Sequence, residues 1–446
     1  MNVLKFGGTS IGTEGQIKKV VDYLSKQSNN GIAVFSAFSD ITNYLSEFIK
    51  QVREGEFVIS EELIVLIEEK HNKMIHKLFQ SENYKQLALK KLNASLLFLK
   101  SHLQKKISEQ QEKEIMVQGE LLSGMIIYLY MLESGIDVGY LDALKFLKLD
   151  ILGEPDYNFI QKKLSKEMKR QLGCRFYITN GFICLDARKL ISNLGRGGSD
   201  YTATIIAKTL QAEKVEIWTD IDGLQNNDPR YVNETYPIRH LSYNEASELA
   251  YFGAKILHPT SIVPAQQANI PIVIRNSFNL KAEGTLINNY TFKRKLSAIA
   301  AKDGVTIIKI KSGRMMQAYG FLRKLFEIFE KYETPVDMLT TSEISVAMTI
   351  DNCKYLTEIV DQLKKLGSVE VVHNQSIVCI VGNFESQKNI VAGQIIEGLG
   401  QIPIQMISFG ASKINFSLVV NTEHKQEALQ LLNHKLFRTE KCLATN

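Results

Sequence analysis

The sequence predicts an α/β protein with a largely parallel sheet, followed by two ferredoxin-like units. Three observations carry this. Short β-branched runs ("NVLKF", "GIAVFS", "GIDVGYL", "CRFYIT", "KVEIWT", "IPIVIR") alternate with longer stretches of helical period. Near residue 295 the pattern changes to short strands and amphipathic helices. Within that tail "TPVDMLTTSEISVAMTI" is echoed by "IPIQMISFGASKINFSLVV", an internal repeat.

The first strand ends in "KFGGTS". Thr13 and Gln16 then have capping-box spacing, and Ile17, Val20, Val21 and Leu24 form an apolar stripe. The glycine pair therefore sits in a strand-to-helix loop, at the carboxyl end of a strand, where open α/β sheets bind ligands. Residues 51 to 115 are charged, lack strand signals and read as helices on one side of the sheet. The Lys-rich "QKKLSKEMKRQ" reads as a solvated helix face. In the tail, each copy of the repeat follows a strand and a helix, "VTIIKI" with "FLRKLFEIFEKY" and "SIVCIV" with "IVAGQIIEGL". Another helix follows each copy. That β-α-β-β-α order is ferredoxin-like.

Composition narrows the function classes. A chain of 446 residues can hold more than one domain with a sizeable core. Its net charge of +5 is too small for this length to mark a nucleic-acid binder. No apolar run reads as long enough to span a membrane, and the N-terminus lacks an export signal. The five cysteines are odd in number, scattered and without CxxC spacing, so free thiols in a reducing, cytoplasmic compartment are expected. The histidines fall into no metal-ligand spacing.

Five motifs could carry chemistry. In "KFGGTS", Lys5 ends a strand, Gly7 and Gly8 let backbone N–H groups approach an anion, and Thr9 and Ser10 add hydroxyls. A tight turn with a surface lysine would look the same. In "LGRGGSDYTA", glycines and a serine lead into a helix whose N-terminus suits an anion. There Arg196 offers a planar fork for a carboxylate, and Asp200 could hold Mg²⁺, orient a lysine, or only complement the helix dipole. "WTDIDGLQNNDPR" reads as a strand end at Thr219-Asp220 and a polar loop. "ELAYFGAKILHP" places Lys255 on a helix that should stop near His258-Pro259. "QGELLSGMIIYLYML" opens an apolar helix at Gly119-Glu120, where an acid also simply favours the N-terminus. Together these supply cations, anion cradles and carboxylates, with no catalytic triad, catalytic cysteine or zinc cluster. That inventory suits phosphoryl transfer, which depends on positioning and charge neutralisation.

At these residues the sequence resembles the aspartate kinases of the amino-acid-kinase superfamily. "KFGGTS", "LGRGGSDYTA", "TDIDG…DPR" and "FGAKILHP" occur in that family's order and spacing, and the tail resembles its tandem ACT domains. The resemblance implies an amino-acid-kinase αβα sandwich over 1–293, a first ACT domain over 303–371, and a second made of 294–302 with 372–446. It implies a monofunctional enzyme using Mg-ATP to phosphorylate the side-chain carboxylate of L-aspartate, the first step towards lysine, threonine and methionine. By resemblance, Lys5, Gly7, Gly8 and Asp200 are catalytic. Ser36, Thr42, Glu120, Phe182, Arg196 and Ser199 would hold aspartate; Thr219, Asp220, Arg230 and Lys255 would hold the nucleotide. Feedback by lysine, with threonine as the alternative, is expected through Met315, Val336, Asp337, Thr341, Ser342 and Glu343, in a homodimer or dimer of dimers.

Some positions depart from the family pattern. Gln225 replaces an aromatic beside the nucleotide, "ARKLISN" replaces a glycine- and threonine-rich run before Leu194, and Val117 replaces a serine. Gln317 and Ala318 replace polar residues found in some lysine-sensitive enzymes. The rival readings are another carboxylate kinase, for glutamate or an N-acyl amino acid, and an inactive amino-acid sensor.

Overall fold

The structure, a computed structural model, describes residues 1–27, 30–171, 173–253, 257–290, 296–315, 319–384 and 388–441. By contact the chain forms two compact units, Met1–Leu224 with Ile256–Asn289, and Gln225–Lys255 with Tyr290–Asn446.

In the first unit, sheet neighbours run Val138–Leu141, Phe176–Asn180, Gly31–Phe35, Asn2–Phe6, Lys214–Thr219, Ile272–Asn276 and Thr285–Asn288. The pairs are parallel up to Ile272–Asn276. Thr285–Asn288 then returns antiparallel. Buried apolar strands such as Gly31–Phe35, covered on both faces, suit this arrangement. Leu4 and Phe6 point into a core built with helices Glu14–Lys26, Ile41–Glu54, Phe57–Leu78, Glu82–Lys100 and Gln118–Glu133. The expected stripe Ile17, Val20, Val21 and Leu24 is buried there, behind a Thr13 side chain that accepts from the Gln16 N–H. Strand alternation sends Lys5 to the opposite face, where helix Gly198–Leu210 lies.

One expectation is corrected here. Residues 109–133 form a helical stretch long and apolar enough, by length and composition, to cross a membrane. It consists of Glu109–Met116 and Gln118–Glu133, and most of its most apolar window is buried. Ile115, Leu122, Ile126 and Ile127 are fully or nearly fully buried in the core, so a helix enclosed on most sides acquires membrane-like hydropathy.

The second unit holds a six-stranded antiparallel sheet, ordered Met338–Thr341, Ser345–Ile350, Ala298–Lys311, Ser368–Val381, Asn415–Asn421 and Ile404–Phe409. Helices Phe321–Lys331 and Leu356–Leu363 share a core with its first half. Lys388–Gly398 and Lys425–Lys441 cover the second. The equivalent strands of the repeat, Met338–Thr341 and Ile404–Phe409, form the two edges, and Thr340 Oγ1 reaches to 3.5 Å from the Ile407 carbonyl. The family resemblance implies a strand near Ser297–Ala301 belonging to the second ACT domain, apart from the strand "VTIIKI" of the first. Instead Ala298–Lys311 is a single strand of 14 residues. Its register shifts between Lys302 and Val305, where Gly304 takes φ +74°, so the chain kinks without leaving the sheet. Ala298–Lys302 pairs with Ile377–Val381, and Thr306–Lys311 pairs with Ser345–Ile350. Residues of 225–255 are tied to this unit through Asn226 to Asn433, Ser297 to Glu245, and Asn415 to Glu248.

Candidate active site

A cleft of about 810 Å³ opens in the first unit at the carboxyl ends of the central strands. On strand Asn2–Phe6, Lys5 is in register with Val34 and Ile217. Its Nζ lies 2.7 Å from Asp200 Oδ1, and the two side chains are only 12% and 9% exposed. Asp200 sits in the first turn of Gly198–Leu210, where its charge also faces the helix dipole. The turn into this helix depends on Gly197, whose φ is +70° and whose absent Cβ would lie 2.5 Å from His258 Cβ. Burial, and then the Arg196 charge, hold the His258 imidazole below its ordinary range, while Asp200 opposes them. Arg196, Asp200 and His258 therefore share one electrostatic neighbourhood.

The glycine loop after Lys5 continues as a short 3-10 turn, Gly8–Ile11. Gly8 lies so close to the next loop that a Cβ would stand 2.8 Å from the Ala37 carbonyl. Ser39 Oγ donates to the Gly8 carbonyl at 2.8 Å, so the loop after the first strand is pinned to the loop after the second. Ser36 and Thr42 line the cleft from that second loop and the helix it opens.

Glu120 enters from helix Gln118–Glu133 and is 4% exposed. Asn180 Nδ2 donates to its backbone carbonyl, and Ser123 Oγ donates to the Ser36 carbonyl, fixing this turn against the sheet. Burial pushes the Glu120 carboxyl up to about 8, against backbone N–H groups of Glu120 and Ala37 that favour its ionised form. Its Oε2 is buried and has no hydrogen-bond partner among the described residues. Phe182 holds a left-handed φ of 67°, with its N–H on Thr202 Oγ1 at 3.0 Å, and its side chain lines the cleft.

Lys5, Asp200, Ser36, Thr42, Glu120, Phe182, Arg196 and Ser199 thus line one cavity. Gly7 adjoins it, since a Cβ there would stand 3.4 Å from Lys5 Nζ. Sequence reasoning missed Ser46, Glu109, Glu112, Lys113, Met116 and Asn193, which also line it. Helix Glu109–Met116 supplies four of these, with Glu112 paired to Arg53 at 2.6 Å. Its charged surface carries no motif that tells a cleft wall from a solvated face.

The expected nucleotide residues are dispersed. In the first unit Thr219 Oγ1 donates to Asp220 Oδ1 at 3.1 Å, at a strand end whose Trp218 carbonyl accepts from the Gly7 N–H and Ser10 Oγ. In the second unit Arg230 forks onto both oxygens of Asp228, with contacts of 2.5 to 3.1 Å that push the guanidinium's proton affinity higher still. Lys255 lies outside the described residues. The helix expected to carry it ends at Tyr251, and His258-Pro259 starts a new helix, Pro259–Gln267. Proline at the first helical position pre-sets φ, so the pair marks a beginning and not a stop.

Among the described residues no three His, Cys, Asp or Glu side chains converge on a metal position. The four cysteines within them are free thiols. The expected effector residues also separate. Met315 and Val336 pack against a core, whereas Thr341, Ser342 and Glu343 form an exposed turn with Ser342 Oγ 2.6 Å from Ser345 Oγ. The Asp337 side chain is 1% exposed and ion-paired to Lys302 at 2.8 Å. Gln317 and Ala318 lie outside the described residues.

Residues 1–276 match the amino acid kinase family, and residues 378–436 match an ACT domain. Aspartokinase 3, chloroplastic, of Arabidopsis thaliana is 32% identical over 100% of this chain and 83% of its own length. The lysine-sensitive aspartokinase 3 of Escherichia coli is 31% identical over 98% of this chain and 99% of its own. The chain belongs to the aspartokinases of the amino acid kinase family. Like them it is an ATP-dependent kinase that acts on aspartate. The solved E. coli aspartokinase III with aspartate and ADP (R-state) superposes at TM-score 0.88, with 29% identity, covering 98% of this kinase and 100% of that chain. The same enzyme with lysine and aspartate (T-state) gives 0.79, with 30% identity over 98% and 99%.

Proposed function

We propose that the cleft positions L-aspartate so that its side-chain carboxylate attacks the γ-phosphorus of ATP, giving 4-phospho-L-aspartate and ADP. The observation that carries this reading is the buried Glu120 Oε2, without a protein partner, in a cleft that Arg196 also lines. A lone buried carboxylate oxygen is costly unless a donor meets it. The ammonium of an amino acid supplies that donor, while Arg196 takes the α-carboxylate through its planar fork. Ser36, Thr42, Phe182 and Ser199 shape the rest of the pocket.

The attacking carboxylate is ionised at neutral pH and needs no general base. The barrier is the approach of one anion to another. Lys5 would offset that charge at the transferring phosphoryl group, with Gly7 and Gly8 presenting backbone N–H groups. Asp200, paired with Lys5, keeps the ammonium aimed into the cleft. The P–O bond to the β-phosphate breaks, its electrons leave on ADP, and no proton moves. Thr219, Asp220, Arg230 and Lys255 are proposed to hold the nucleotide. Mg²⁺ would ride on the phosphates and neutralise them, with Asp200 as the side chain that could also hold it.

The proposed domain limits remain 1–293, 303–371, and 294–302 with 372–446. The reaction would open lysine, threonine and methionine synthesis in the cytoplasm, in a homodimer or dimer of dimers. Lysine is the proposed feedback effector, with threonine as the alternative, acting through Met315, Val336, Asp337, Thr341, Ser342 and Glu343. ADP release should be measured with aspartate, glutamate and N-acetylglutamate. Turnover on aspartate is expected; its absence would overturn the substrate assignment.

A further inference from the structure

Among the described residues, the second unit holds an ion cluster with two carboxylates on one ammonium. Lys302 Nζ lies 2.8 Å from Asp337 Oδ1 and 2.8 Å from Asp351 Oδ2, so two carboxylates share one ammonium. The Tyr251 hydroxyl donates to the same Asp337 Oδ1 at 2.7 Å, and its ring lies under Lys302 Nζ at 4.8 Å. Among the described residues Asp337 Oδ2 has no hydrogen-bond partner, and its side chain is only 1% exposed. Donors crowd one oxygen of this carboxylate and leave the other bare. Such a group is under-compensated, and an added ammonium would be stabilised there.

Tyr251 is the last residue of helix Tyr243–Tyr251. The same helix is held elsewhere by Ser297 on Glu245 and Asn415 on Glu248. Its final turn is tied through Tyr251 to the start of the strand that Asp337 precedes, and its chain runs on into the "FGAKILHP" motif. Lys302 stands where the long strand's register shifts, so the strand bends beside the ion cluster.

We infer that the Tyr251–Asp337 hydrogen bond is the coupling contact between amino-acid effector binding and helix Tyr243–Tyr251. An effector ammonium taken up by Asp337 competes with the Tyr251 hydroxyl for the carboxylate and frees the end of the helix. This rests on the effector reading proposed above. Coupling needs a contact whose strength differs between the liganded and free states, and a hydroxyl on the ligand-binding carboxylate meets that need.

Tyr251→Phe in the full-length enzyme keeps the ring beneath Lys302 and removes only the hydroxyl. Expected are an uninhibited kcat lowered towards that of the lysine-saturated wild type, tighter lysine binding by calorimetry, and a further inhibition by lysine weakened about fivefold or more. Tyr251→Leu should act in the same direction, and melting temperatures report whether each variant folds. The same assays with threonine cover the alternative effector. Unchanged half-inhibition and maximal inhibition in Tyr251→Phe, with the wild type inhibited, would overturn the coupling contact alone. A wild type that binds neither lysine nor threonine would overturn the effector reading and this contact together.

Discussion

Lys5 and Asp200 meet at 2.7 Å across the gap between the central strand and the first turn of helix Gly198–Leu210, both nearly buried. Each needs the other: the strand delivers an ammonium to a nearly buried position on the cleft wall, and the helix supplies its counter-charge. Lys5→Ala should lower kcat by about a thousandfold, with a smaller change in KM for aspartate. It also strands the Asp200 carboxylate, so a stability loss of about 3 kcal/mol is expected. Initial rates and urea melts of Lys5→Ala, Asp200→Asn and the double variant measure the two effects separately. A smaller kcat loss in the double variant than the singles sum to is expected from their pairing.

The Glu120 carboxyl, raised to about 8 by burial, makes substrate capture pH-dependent. At pH 6 the empty site holds Glu120 mostly protonated, and an incoming ammonium must displace that proton. KM for aspartate should therefore fall as pH rises from 6 to 8, with proton release seen as a buffer-dependent calorimetric heat. Without ligand the sign reverses for stability. The folded state then binds more protons than the unfolded, so Glu120's contribution is present below the ordinary carboxylate range and is lost as pH rises through about 8. Glu120→Gln should remove the pH dependence of KM and raise KM by about tenfold or more.

Gly197→Ala forces a side chain into a left-handed φ and against His258. A stability loss of about 1–3 kcal/mol is expected, read from thermal melts. Because Arg196 and Asp200 flank this turn, kcat/KM for aspartate should fall at least tenfold even where the protein remains folded.

Chelation separates a nucleotide-borne metal from a structural one. For a metal carried by the nucleotide, EDTA should abolish turnover while leaving the melting temperature unchanged. Activity should return with Mg²⁺ in proportion to Mg-ATP.

The glycine motifs were legible because they impose local geometry. "KFGGTS" had to be a strand end and turn, and "GRGGSD" had to open a helix, which places Asp200 in its first turn. The sequence leaves open which lysine Asp200 orients, since a pairing across 195 positions depends on strand order. Ser36, Thr42 and Phe182 were reached through family resemblance alone. Lys113 and Met116 went unnoticed because their helix reads as any amphipathic covering helix. His258-Pro259 misled for a physical reason: proline ends one helix and begins another with the same φ. The merged strand Ala298–Lys311 hides behind Lys302-Asp303-Gly304, three residues that normally announce a turn.

That merged strand bears on how the chain is made. Ala298–Lys311 leaves the ribosome early in the tail, yet one of its flanks stays bare until Ser368–Val381 has been synthesised. The Thr306–Lys311 half of its other flank is closed sooner by Ser345–Ile350. Until then the nascent tail exposes an apolar strand edge ready to pair with another copy. A chain cut between the two halves would keep that edge permanently, so the tail is divisible in its sequence repeat but not in its folding.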